Sequence, residues 1–188
     1  MKKNKFAKLF LSVLLIAVFA VISYFGFLSI SKTLYPLEYE NFVKIYAEEY
    51  NLEKSFVYAV IKNESNFNPK AVSSANAKGL MQLLPETFKW LQTKTKEDLD
   101  EEMMFDPETS IKYGCMFYNI LIDMFGDKET AVAAYHAGQG NVAKWLGDKE
   151  YSSDGKHLDK IPFASTASYV KNVMKTEKIY NKLYKVDK

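Results

Sequence analysis

The sequence predicts an all-α protein, and two features of its pattern support that prediction. From Leu37 onward, apolar residues recur at three- and four-residue steps, and the alternation typical of strands is almost absent. An uncharged apolar run at residues 9–30 precedes this region. Only five prolines and eight glycines, with an aromatic content of 15%, indicate a folded chain rather than a disordered one.

The first predicted element is the apolar run itself. As a helix its 22 residues would be about 33 Å long, which crosses a bilayer core. Four lysines lie on its N-terminal flank, so the positive-inside rule predicts a cytoplasmic N-terminus and an extracytoplasmic remainder. The alternative is a cleaved signal peptide, whose apolar region is usually shorter and ends in small residues. We favour an uncleaved single-pass anchor in the cytoplasmic membrane. The flanking lysines are Lys2, Lys3, Lys5 and Lys8.

We therefore expect three segments. Residues 1–31 form the basic flank and anchor, residues 32–37 a short spacer, and residues 38–188 a single helical domain without internal repeats. A six-residue spacer extends at most about 21 Å, so the domain should work close to the membrane.

Five amphipathic helices are expected in this domain, from helical spacing of apolar residues and from start and stop signals. Asp106 before Pro107 starts a helix, because proline fits the first turn and the aspartate accepts a backbone amide. Asp127 starts the next helix, and Gly138 with Gly140 ends it. The second helix is predicted to begin at a Ser55 cap. The expected helices cover about residues 42–49, 55–67, 106–126, 127–134 and 165–185, and residues 93–102 and 151–160 are expected to be solvated loops.

Composition excludes several classes of function. The net charge is +2 and every one of the 25 basic residues is a lysine, so the guanidinium fork that reads phosphates and guanines is absent, which argues against nucleic-acid binding. His136 and His157 are the only histidines, and no HExxH, CxxC or glycine-rich phosphate loop occurs, so we expect no metal and no cofactor. Cys115 is the only cysteine, and its helical setting favours a small buried side chain over a reactive thiol.

Glu64 is the candidate catalytic residue. On a helix it shares a face with the apolar residues Val60, Ile61 and Phe67, so its carboxyl group should be partly desolvated. Desolvation raises a carboxyl pKa, as a general acid working near neutral pH requires. The alternative is a glutamate at a frayed helix end that simply reaches water, and helix geometry alone does not separate the two.

Four ordered motifs separate them. The first motif matches the patterns ESxFxP and SxxGAxGLMQxMP at residues 64–69 (ESNFNP) and 73–85 (SSANAKGLMQLLP). The second matches DPExNI at residues 106–108 (DPE). The third and fourth match AYNAGxGxVxxW at residues 134–145 (AYHAGQGNVAKW) and PFxETRxYV at residues 162–170 (PFASTASYV). Over about residues 38–180 the chain closely resembles the lytic transglycosylase family of the lysozyme-like fold.

The resemblance implies cleavage of peptidoglycan glycan strands between N-acetylmuramic acid and N-acetylglucosamine, without a cofactor. Glu64 would act first as acid and then as base, and the product would carry a 1,6-anhydro end instead of an added water. A lysozyme-type hydrolase on the same scaffold and a glycan-binding component of low activity remain alternatives. Substrate contacts are implied for Ser73, Gln82, Tyr135, His136 and Tyr169, and also for Met81 and Leu84, which suit packing equally well. Protein partners are not predicted.

The chain departs from the family pattern at four positions. Asn76 replaces a glycine, and asparagine tolerates the left-handed backbone that this glycine suggests. Ser165 and Ala167 replace a Glu and an Arg, which most simply removes a structural ion pair. His136 replaces an Asn. It either keeps a hydrogen bond that the Asn side chain would make, which we favour, or adds a titratable group beside the acid.

The charge is also segregated along the chain. Four of the 25 basic residues and none of the 23 acidic ones precede residue 32, so the rest of the chain carries 21 lysines against 23 acids, a net charge of −2. Capture of an anionic wall should therefore depend on shape, hydrogen bonds and tethering rather than on bulk charge.

Overall fold

The structure is a computed structural model that describes the backbone of residues 2–187, and the side chains of these residues except 2–9, 12 and 13. The chain forms two compact units, Met1–Pro36 and Leu37–Lys188. The first unit is one helix, α1, Lys2–Leu34. Its segment Leu14–Leu34 has a mean hydropathy of 2.3 and is long and apolar enough to cross a membrane. Helix α1 includes residues 32–34, so half of the expected spacer is helical rather than extended.

The second unit is all-helical, as predicted, and its described residues contain no strand beyond two isolated bridges, Val72 to Lys78 and Lys78 to Leu83. A short 3-10 helix, Glu101–Phe105, directly precedes the helix Pro107–Phe125. The α-helices are α2 Glu40–Glu49, α3 Lys54–Glu64, α4 Pro85–Thr95, α5 Pro107–Phe125, α6 Lys128–Ala137, α7 Gln139–Leu146 and α8 Ala164–Tyr184.

The predicted signals at both ends of α5 and at the start of α6 are confirmed. The Asp106 carboxylate accepts the backbone amide of Thr109 at 2.9 Å, and the Asp127 carboxylate accepts that of Thr130 at 2.7 Å. Gly126 ends α5 with φ at 69°, the left-handed conformation that glycine adopts without steric cost.

Two predicted boundaries are wrong, and one helix was not predicted. Ser55 does not cap α3, because it lies inside the first turn and its hydroxyl donates to Asp187 at 2.5 Å. The same helix ends at Glu64 rather than near Phe67, since Phe67 has φ at 64° and cannot continue it. Gly138 ends α6 as expected, but α7 follows at once and was not predicted.

Helix α3 lies at the centre of the unit. Its residues 56–61 are all 2% exposed or less, because α8 packs along one side of it and α2 along another. Helix α5 packs against α2, α4 and α6, and α6 also packs against α8. Cys115 of α5 is completely buried, as predicted, and burial raises the pKa of its thiol. Helix α3 thus packs against α2 and α8, and α5 and α6 pack against these two helices in turn.

Candidate active site

Glu64 is the last residue of α3 and the centre of the candidate site. Its side chain is only partly exposed, and burial raises its pKa from 4.5 to about 7, while a hydrogen bond donated by Tyr169 acts in the opposite direction. The predicted desolvation of this carboxyl is therefore present in the structure. Because the helix stops here, the carboxyl group remains accessible at the end of the buried stripe.

Two tyrosine hydroxyls form a chain that ends on this carboxyl group. The Tyr169 hydroxyl, from α8, donates to Glu64 Oε1. Tyr169 Oη lies 3.1 Å from Tyr118 Oη of α5. Since the Tyr169 proton is directed to Glu64, Tyr118 donates to Tyr169. Tyr118 is fully buried, and burial holds the pKa of both phenols well above its usual range, so they are neutral donors.

Tyr135 of α6 joins this cluster through its ring. The rings of Tyr118 and Tyr135 stack with centroids 4.1 Å apart and an interplanar angle of 4°. The Tyr135 hydroxyl donates to the Met81 carbonyl at 2.6 Å, which fastens the loop before α4 to the helical core. Met81 is completely buried, so the structure gives it the packing role and not an exposed surface for a sugar.

The loop of residues 65–84 is held by its own polar side chains. The Gln82 amide donates to the carbonyls of Ala71 and Gly79 at 3.0 and 2.9 Å. The Ser73 hydroxyl accepts the amides of residues 75 and 77 at 3.2 and 3.1 Å. Asn76 has φ at 63°, the left-handed backbone expected there. In the described part of the chain neither Ser73 nor Gln82 hydrogen-bonds Glu64, and their substrate contacts stay predictions.

The ring of His136 packs against the ring of Tyr169. Its Nδ1 lies 3.0 Å from the hydroxyl oxygen of Thr166, and its ring centroid lies 4.7 Å from that of Tyr169, tilted by 31°. Burial lowers its pKa. The residue therefore makes a side-chain hydrogen bond to Thr166, and that an asparagine here would make the same bond stays a prediction. The structure brings it to Tyr169, one contact away from the carboxyl group.

Leu84 is the remaining predicted contact residue. Leu84 is 39% exposed at the start of α4 and is available for contact. Trp145 is buried edge-on against Phe163, whereas Trp90 is 37% exposed with its edge on Phe117. Two surface cavities of about 580 and 720 Å³ do not have Glu64 in their lining. Residues 2–187 contain no cluster of three metal-ligating side chains where they are described.

Two contributors were missed by the sequence reasoning. Tyr118 lies on the same face of α5 as Ile111 and Cys115, at helical spacing, and a polar-tipped aromatic residue within such a stripe was the available signal. Thr166 belongs to a matched motif, but nothing in its local sequence indicates that its hydroxyl meets a histidine thirty positions away.

The chain is similar in sequence to known proteins. The transglycosylase SLT domain matches residues 41–158. The soluble lytic murein transglycosylase of Escherichia coli K12 is 33% identical over 152 residues, covering 78% of this chain and 23% of the relative. Membrane-bound lytic murein transglycosylase C of Haemophilus ducreyi is 26% identical, covering 80% of this chain and 44% of the relative.

Solved structures show the same likeness. The 70 kDa soluble lytic transglycosylase of E. coli superposes with a TM-score of 0.73 at 28% identity, covering 84% of this chain and 26% of that one. The lytic transglycosylase of Pseudomonas aeruginosa, solved as an inactive glutamate-to-glutamine mutant, superposes with a TM-score of 0.72, also at 28% identity, covering 82% and 25%. The chain thus spans about a quarter of the length of these soluble relatives. It has their lysozyme-like fold and belongs to the transglycosylase SLT domain family.

Proposed function

We propose that the chain is a peptidoglycan lytic transglycosylase with Glu64 as its general acid and base. The observation that carries this proposal is the Glu64 carboxyl group, whose pKa burial raises to about 7 at an accessible helix end. A group with this pKa is present in both protonation states near neutral pH. It can therefore give up a proton in one step and accept one in the next.

In the proposed reaction Glu64 acts twice on one sugar. The protonated carboxyl group first donates its proton to the glycosidic oxygen as the bond from that oxygen to C1 of N-acetylmuramic acid breaks, and N-acetylglucosamine leaves as an alcohol. The carboxylate then removes the proton of the muramyl C6 hydroxyl, whose oxygen bonds to C1. This closes the 1,6-anhydro ring, returns the proton to Glu64 and adds no water.

The surroundings of Glu64 support a mechanism with one carboxylate. Ordinary glycosidases use two, the second one serving as nucleophile or as the base for water. Among the described residues, the influences on the Glu64 carboxyl group are burial and the Tyr169 hydrogen bond, with no second acidic side chain. Glu86, the acidic residue in the first turn of α4, is exposed. The Tyr169 bond also stabilises the carboxylate that forms after the first step.

The relatives support the same assignment. Those named above are lytic murein transglycosylases, and a glutamate-to-glutamine substitution accompanies inactivity in the Pseudomonas protein. For this chain, the substrate is proposed to be the peptidoglycan glycan strand. Binding would depend on shape and hydrogen bonds, because the domain carries no excess of positive charge.

The chemical form of the product's muramyl end distinguishes a transglycosylase from a hydrolase. Digested peptidoglycan examined by mass spectrometry should carry anhydromuramyl ends, and reducing ends alone would instead identify a hydrolase. Glu64→Gln should abolish muropeptide release, while Glu86→Gln on the exposed turn of α4 should release as much as wild type. Equal release by Glu64→Gln and wild type would refute the acid role and leave a glycan-binding component as the alternative.

We also propose that α1 anchors the enzyme in the cytoplasmic membrane with the catalytic unit on the wall side. The apolar segment Leu14–Leu34 and its N-terminal lysines support this, as does similarity to a relative named membrane-bound. The full chain should stay in the membrane fraction after an alkaline carbonate wash and keep its N-terminus. External protease should digest the catalytic unit in protoplasts. A shortened N-terminus in the mature protein would identify a signal peptide instead.

A further inference from the structure

His136 connects two residues of α8 that lie one helical turn apart. Its Nδ1 meets the Thr166 hydroxyl at 3.0 Å, and its ring lies against the ring of Tyr169 at 4.7 Å. Thr166 and Tyr169 are three residues apart, so their side chains share one face of the helix. The imidazole therefore lies along that face, held at one end by Thr166.

This arrangement restricts the movement of Tyr169. Thr166 is 1% exposed, so its hydroxyl is buried away from bulk water at the point where it meets the imidazole. Tyr169 is itself partly exposed, and its hydroxyl bridges Glu64 and Tyr118. A ring packed against it opposes rotation away from Glu64.

We propose that His136 is a positioning residue: held by Thr166, its ring keeps the Tyr169 hydroxyl on Glu64 and so sets how tightly the general acid holds its proton. The proposal rests on the proposed function of Glu64. The titratable groups that interact with this carboxyl group are Tyr118 from α5, Tyr135 from α6 and Tyr169 from α8, and His136 lies one contact further out, against Tyr169.

The expected direction follows from the two influences on Glu64. Burial raises its pKa and the Tyr169 hydrogen bond lowers it, so loosening Tyr169 lets the pKa rise further. Burial also lowers the pKa of His136, which disfavours the charged form of its ring. In this proposal His136 acts by contact and hydrogen bonding.

Thr166→Val tests this most cleanly, because it removes one hydroxyl and keeps both the side-chain volume and the His136 ring. The Glu64 carboxyl carbon is followed by ¹³C NMR against pH in the full-length protein in detergent micelles, and its signal is assigned by its loss in Glu64→Gln. Thr166→Val should raise the midpoint by about half a unit and Tyr169→Phe by about one unit. Thr166→Ser, which keeps the hydroxyl, should restore the wild-type midpoint.

A double variant separates positioning from an independent effect. If the bond from Thr166 acts through Tyr169, then Thr166→Val adds nothing to Tyr169→Phe. An unchanged midpoint in Thr166→Val, or additive shifts in the double variant, would overturn the proposal. His157→Asn serves as a control away from the site, since His157 is exposed and pairs with Asp154 at 2.6 Å. It should leave the midpoint unchanged.

The activity readout is separate from the titration. In Thr166→Val the high-pH limb of the kcat/KM profile should shift to higher pH, together with the NMR midpoint. A shifted midpoint in a protein whose Glu64→Gln variant still cleaves peptidoglycan would uphold the positioning role and refute the proposed function. If Glu64→Gln abolishes peptidoglycan cleavage but Thr166→Val leaves the midpoint unchanged, the proposed function is upheld and the positioning role is refuted.

Discussion

The raised pKa of Glu64 predicts a pH-dependent stability difference between the wild type and Glu64→Gln. A rise from 4.5 to about 7 means that the native state binds this proton more tightly than the unfolded state. The stabilisation is fully present below pH 4.5 and is lost as the pH rises through about 7. Glutamine does not titrate, so the variant should gain on the wild type over this interval.

The size of this gain follows from the shift. About 2.5 units at about 1.4 kcal/mol each give an upper bound of about 3.5 kcal/mol. The side chain is partly exposed, and solvent screening reduces the effect, so we expect about 2 kcal/mol. Urea unfolding followed by tryptophan fluorescence measures it directly at about pH 4.5 and about pH 8.5, which lie about 2.5 units below and about 1.5 units above the transition.

At each pH, the unfolding free energy of the wild type is subtracted from that of the variant. The informative quantity is how much this difference changes between the two pH values. Taking this change cancels any fixed packing effect of the amide. Glu86→Gln on the surface of α4 reports the general effect of removing a glutamate charge. If the difference for Glu64→Gln is the same at both pH values, the carboxyl group is not desolvated and the reasoning above is refuted.

Three further changes test the architecture around the site, each by urea unfolding. Gly114→Ala would place a Cβ 2.2 Å from the Met81 sulfur and should destabilise by about 1–3 kcal/mol; an unaltered midpoint would show that the packing is looser than described. Asp106→Ala removes the acceptor of the Thr109 amide and should cost about 1 kcal/mol, whereas Asp106→Asn should recover most of the loss. Asn76→Ala should cost about 1 kcal/mol because φ is 63°, and Asn76→Gly should not; equal losses would exclude backbone strain as the cause.

The helices followed from the sequence where local chemistry alone determines them. The caps at Asp106 and Asp127 satisfy backbone amides within the same turn, so no tertiary information was needed to find them. Ser55 has the same chemistry but bonds Asp187, 132 residues further along, and this distant partner overrides the local preference. Helix α7 was missed because Gly138 ends one helix and precedes the next directly.

The candidate site was also predicted in part: features set within one helix were found, and contacts between helices were not. The apolar face of α3 indicated the desolvation of Glu64 correctly, because residue spacing on one helix is a local property. The connections from Tyr118 through Tyr169 and from Thr166 through His136 join α5, α6 and α8. Contacts between helices depend on how those helices pack, which periodicity within one helix does not specify.

Cys115 gives this molecule a built-in probe of its own fluctuations. It is the only cysteine in the chain, is fully buried, and lies on α5, one helical turn before Tyr118. An alkylating reagent can reach the sulfur only when α5 separates from its neighbours, so the labelling rate measures the free energy of that opening. A single unmodified thiol can thus report, without engineering, how often the tyrosine cluster comes apart.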